Sequence, residues 1–158
     1  MTLTPFAWSS LSPLQLGRYA EYFVKLELTL YGFQVFTSEV DDRGIDFVAR
    51  NENGMFYEVQ VKSLRKSGYV FLRKEHCVPA EHRLLAFVLF RDNEEPVAYL
   101  IPTTVWLTPS GPFVSRDYGE GKKSAPEWGL TVSDKRLPEL EAYRFGVTAA
   151  ALRTTPQT

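Results

Sequence analysis

With 158 residues, the chain fits one core of ordinary size and leaves little room for two. Apolar residues at 44% against charged residues at 23% exclude a chain disordered throughout, and no run of about 18 apolar residues offers a membrane span. A formal net charge of −1 removes any overall electrostatic case for a nucleic-acid partner, which would have to be met by a local basic face. The N-terminal MTLTPFAWSSLSP carries no charged side chain and so no basic leader, and the lone Cys77 has no partner for an internal disulfide. A reducing, cytoplasmic setting is expected. Cys77 with His76 and His82 is too small a group for a structural zinc site.

Along the chain, Ser12 and Pro13 form a helix start, and apolar residues from Leu14 to Leu30 recur at helical spacing until Gly32. A helix is expected over 13–31. Residues 33–40 alternate as a strand and end in the turn-rich DDRG; 45–50 form a second strand, and NENG at 51–54 turns the chain into a third over 55–63. Residues 69–73 fit a short strand, LLAFVLF at 84–90 a strand buried on both faces, and VAYLI at 97–101 its neighbour across DNEEP. TTVW starts a short helix, GPF and EGKKSAPEWG read as loops, LPELEAYRF reads as a second short helix, and TTPQT as a frayed end. The sum is an α/β (α+β) chain: an N-terminal helix, a mixed central sheet and small flanking helices, one domain over 1–150 with a flexible tail over 151–158.

The chemistry concentrates in RGIDFVARNENGMFYEVQVKS, residues 43–63. In a strand alternate side chains share a face, so Glu58, Gln60 and Lys62 point together while Tyr57, Val59 and Val61 point into the core. The NENG hairpin brings residues 46–50 beside 56–60, which lets the Asp46 carboxylate approach Gln60 and Lys62. Between Lys62 and Arg83, six basic residues (Lys62, Arg65, Lys66, Arg73, Lys74, Arg83) face two acids (Glu75, Glu81), a local excess of four. Ser63, Arg65, Lys66, Arg73 and Lys74 are the candidate nucleic-acid contacts, and Tyr69 and Phe71 alternate beside them with core packing as their expected role.

These residues resemble the PD-(D/E)xK nucleases of the restriction-endonuclease-like fold. The matching positions lie in 13–63: Glu21 in the first helix, Asp46 in GIDF, and Gln60 and Lys62 in QVK. Ile45 stands where the family name has proline, and Gln60 where it has the second acid; a QxK site is similar to that of Holliday-junction-resolvase-like members and of a bacterial intron-encoded homing endonuclease. The resemblance implies a metal-dependent endonuclease that hydrolyses DNA phosphodiester bonds. Asp46, Gln60, Glu21 and Glu58 would serve as ligands for Mg²⁺ or Mn²⁺, with Glu58 open to a second role as a cross-strand partner. Lys62 would stabilise charge developing on the phosphoryl group. DNA is the implied partner, with a homodimer as the implied assembly. The different outcome, favoured by Gln60, is a nuclease-fold domain that binds nucleic acid or a protein without cutting.

Overall fold

The computed structural model describes residues 4–40 and 43–157. Asp41 and Asp42, half of the expected DDRG turn, lie outside the described residues. The first helix, α1 (Pro13–Leu30), starts where the sequence places it. The Ser12 hydroxyl accepts the Gln15 N–H at 3.2 Å while the Gln15 side-chain oxygen accepts the Ser12 N–H at 2.9 Å, a reciprocal cap that satisfies two otherwise orphaned donors. Gly32 ends it with φ +88°, a backbone angle that side chains with a Cβ avoid. Only Leu16, Ala20, Val24 and Leu28, four apart, reach the core; Leu14, Leu26 and Leu30 stay exposed.

Strands β1 (Gln34–Thr37), β2 (Phe47–Arg50), β3 (Phe56–Arg65), β5 (Arg83–Phe90) and β6 (Val97–Pro102) form a mixed sheet in the order β1-β2-β3-β5-β6. Only the β3–β5 pairing is parallel. The hairpin at NENG is tied by Asn51, whose side-chain oxygen accepts the N–H groups of Asn53 and Met55. Between β3 and β5, where a helix is the usual crossover, the chain turns through Lys66 and Ser67 into β4 (Gly68–Arg73).

The structure corrects the reading of two loops. The region of GPF contains β7 (Phe113–Arg116) and EWG opens β8 (Glu127–Val132); with β4 they make a second, antiparallel sheet in the order β4-β8-β7. LPELEAY is a 3-10 turn (Leu137–Tyr143), and Phe145 begins a helix of its own, α2 (Phe145–Leu152). The following residues are held by the NENG turn, with the Asn51 amide donating to the carbonyls of Leu152 and Thr155 and the Asn53 amide to that of Thr154.

Three layers result. The helices pack on one face of the five-stranded sheet against Phe47, Val59 and Ala86; on the other face the small sheet packs against Leu85, Phe87 and Ile101. Strand β5 lies between both layers, which is why LLAFVLF is apolar without alternation: all seven are buried. The small sheet covers the β5–β6 half only. On the β1–β2 half of that face, Phe36 and Phe56 are 49% and 50% exposed. No helix among the described residues is long and apolar enough to cross a membrane.

Candidate active site

Pairing between β2 and β3 runs from Arg50–Phe56 to Phe47–Val59 and there stops, whereas β3 continues to Arg65. Past Val59, the edge of β3 that faced β2 loses its partner strand, and its next outward N–H belongs to Val61. Asp46 resolves this need: its own N–H donates to the Val59 carbonyl at 2.9 Å, and its Oδ2 accepts the Val61 N–H at 2.6 Å. The side chain thus replaces a missing strand, which accounts for an acid at the mouth of an apolar strand and fixes its carboxylate in the plane where the sheet opens.

On the helical side, Asp46 shares a depression with Glu21, Arg18 and Val61. Glu21 is held by two cations of its own helix, Arg18 and Lys25, each at 3.3 Å. On the opposite face, Gln60 lines a small adjoining cavity with Gly44, Ile45, Glu58, Leu72 and His76. Gly44 has φ +71°, and a Cβ there would lie 3.6 Å from both Gln60 amide atoms, so the chain entering β2 rests close against this side chain. Residues 44–46 therefore border both depressions.

The alternation along β3 is as the sequence reads it: Tyr57 and Val59 are buried, and Glu58, Gln60 and Lys62 are half-buried on the other face. Glu58 takes the role of cross-strand partner. In the parallel register it stands beside Arg83, whose Nε donates to Glu58 Oε2 at 2.8 Å. Arg83 went unrecognised in this role because a parallel pairing made 25 residues later leaves no local pattern. Lys62 has no ion pair among the described residues; its ammonium lies 6.0 Å from the Phe71 ring centroid.

The expected basic face divides. Ser63 and Arg65 border a depression beside the start of α1, and Lys66 sits in the β3–β4 turn with φ +67° near Arg91, Asp92 and Asp134. At the far end of β4, Arg73 pairs with Glu75 at 3.4 Å, while Lys74 donates to Asp117 at 2.8 Å and Ser115 at 2.6 Å and rests 4.1 Å above the Trp128 ring. Lys74 is thereby committed to fixing β7 and β8. Cys77 is buried, and burial pushes its thiol upward, which keeps it protonated and inert.

Among the described residues no three His, Cys, Asp or Glu side chains stand close enough to hold a metal between them. The donor chemistry nonetheless suits a hard cation: the Asp46 and Glu21 carboxylates, which border one depression, offer oxygens only, and the Gln60 carbonyl oxygen lies on the opposite face. Magnesium retains several waters and takes few protein ligands, so an incomplete oxygen set of this kind fits it better than a closed cage would.

No protein-family model matches the chain, and no curated protein matches it. Solved structures do. The chain superposes on Hjc, a Holliday junction resolvase of Archaeoglobus fulgidus, with a TM-score of 0.50 and 13% identity over 84% of this chain and 94% of that one. It superposes on the bacterial homing endonuclease I-Ssp6803I with a TM-score of 0.54 and 19% identity over 92% of this chain and 99% of that one. Both belong to the restriction-endonuclease-like nuclease superfamily, and the likeness shows that fold for this chain.

Proposed function

We propose that the protein is a metal-dependent endonuclease acting on DNA, with its centre at Asp46. The observation that supports this most strongly is the placement of Asp46 where β2 and β3 part, within one fold segment that also carries Glu21, Gln60 and Lys62.

Asp46 and Glu21, which share the depression on the helical side, would hold a divalent ion, which when bound would supply Lewis-acid activation of water and neutralise phosphoryl charge. The chain's own groups do the rest. The Val61 N–H fixes the Asp46 carboxylate, so its orientation is set before substrate arrives. Gln60 offers a neutral oxygen where an acid would add charge, and its amide N–H donates a hydrogen bond to a water or a phosphate oxygen. Lys62, on the Gln60 face and with no ion pair among the described residues, would set its ammonium against the phosphoryl oxygens as the attacking water's oxygen bonds to phosphorus, the bond to the leaving oxygen breaks and the water's proton passes through solvent to that oxygen. We assign Lys62 this electrostatic task rather than proton abstraction.

A second reading, a nuclease-fold domain that binds without cutting, draws on Gln60 and on the cations already paired with Glu21. Supercoiled plasmid, single-stranded DNA and branched junctions incubated with Mg²⁺ or Mn²⁺ separate the two. Metal-dependent cutting by the wild type that is lost in Asp46→Asn, which keeps an acceptor for Val61, is the expected result. Binding without cutting in every metal would favour the second reading.

A further inference from the structure

The β1–β2 half of the five-stranded sheet leaves its face uncovered although it carries large rings. Phe36 and Phe56 face each other there at 6.2 Å between centroids and are each about half exposed. Strand β3 sends this same face onward through Glu58 and Gln60 to Lys62, and at the Lys62 end a third ring, Phe71, is 42% exposed on the outer side of β4. The core packing expected of Tyr69 and Phe71 is not what the structure shows: Val70 and Leu72 enter the core, so Phe71 and its neighbour Tyr69 are turned outward. Exposed rings thus bracket the polar row at both ends. From Phe56 to Gln60 is four strand residues, about 13 Å along β3.

Each bracketing ring also has a cation beside it. The Arg50 guanidinium lies 5.8 Å from the Phe56 centroid, held by the Gln34 side-chain oxygen at 3.1 Å, and the Lys62 ammonium lies 6.0 Å from that of Phe71. An exposed ring with a positive charge near it complements one nucleotide: the base lies on the ring and its phosphate meets the cation. A base in uninterrupted duplex cannot use such a surface, because both of its faces are already stacked.

We propose that this uncovered sheet face, together with Phe71 on the outer side of β4, is a stacking surface for unpaired bases, so that the DNA presented to Asp46 contains a single-stranded segment. The inference rests on the nuclease reading for the identity of the polymer, and it adds the substrate's form. The rings are placed to grip bases on either side of the polar row, which would leave the intervening phosphates over Gln60 and Lys62.

The test is binding in EDTA, where nothing is cut, measured by fluorescence anisotropy with a labelled single strand, its blunt duplex, and the same duplex with an internal bulge of unpaired bases. The wild type should bind the single strand and the bulge at least tenfold more tightly than the duplex. Phe36→Leu, Phe56→Leu and Phe71→Leu, all at half-exposed positions that a smaller apolar side chain tolerates, should each weaken binding to the unpaired forms by about tenfold and leave the duplex unchanged. Phe56→Tyr, which keeps the ring, should bind like the wild type. Equal affinity for all three DNAs, loss of duplex and single-strand binding alike in the Leu variants, or no DNA binding at all would overturn the inference. Cutting of plain duplex without this preference would overturn the inference and spare the nuclease; the preference without cutting in any metal would do the reverse.

Discussion

The two halves of the five-stranded sheet are built from similar residues and do opposite things with them. Over β5 and β6 both faces are covered, and Phe87, Leu100 and Ile101 are fully buried. Over β1 and β2 only the helical face is covered, so Phe47 and Ala49 are buried while Phe36 and Phe56 on the reverse are open. Burial of apolar surface is the main source of stability, so the first half carries the fold. The second half lies next to the Asp46 site and is free to carry function.

Substitutions that exchange large side chains between the halves should separate these tasks. Phe87→Ala removes a fully buried ring from between two layers and should cost about 3–5 kcal/mol in urea unfolding. Phe56→Ala, at a half-exposed ring, should cost less than about 1 kcal/mol; equal losses from the two would erase the distinction.

The small sheet that creates the covered half has its own tight point. At Gly129 in the middle of β8, a Cβ would lie 2.0 Å from the Tyr69 hydroxyl, which donates to the buried Glu127 at 2.5 Å. Gly129→Ala must push Tyr69 off that carboxylate and should cost about 1–3 kcal/mol. Full thermal stability in this variant would show that the Tyr69–Glu127 pair does not hold the sheet.

Glu58 offers a smaller test. Paired with Arg83, it should tolerate Glu58→Gln with a loss of about 1 kcal/mol or less and with cleavage within about threefold of wild type. Loss of metal-dependent cutting would assign it to the metal instead.

The smallest effect concerns alkali. Burial, then its bond to Glu127, raises the Tyr69 phenol above its ordinary value. The folded state therefore holds this proton more tightly than the unfolded chain does, and the stability it contributes is complete below about pH 10 and falls as pH rises beyond it. Tyr69→Phe should flatten that alkaline slope in pH-dependent melting; an unchanged slope would place the alkaline lability elsewhere.

What was legible in the sequence was local. The Ser12–Pro13 start of α1, the NENG hairpin and the alternation of β3 are each written within a few residues, and the structure shows them all. The small sheet was not legible, because β4 pairs with β8 more than fifty residues away and β8 carries Gly129 where a strand pattern expects a side chain. Helix α2 was obscured for a similar reason: Gly146 in its first turn reads as a breaker, yet a Cβ there would meet the Tyr31 hydroxyl at 2.5 Å. At the site, the shared face of Gln60 and Lys62 followed from strand periodicity. The bond from Val61 to Asp46 did not, since it depends on where β2 stops pairing.

The most direct measurement is the single-turnover cleavage rate of Asp46→Asn and Lys62→Ala beside the wild type in saturating Mg²⁺, on whichever DNA the wild type cuts, with DNA affinity measured in parallel in EDTA. A centre assembled where β2 and β3 part predicts that both variants keep the fold, that Asp46→Asn keeps DNA affinity, and that both lose at least about a hundredfold in single-turnover rate at saturating protein, a scale expected for removal of one transition-state charge contact. A rate left unchanged by either substitution would contradict it.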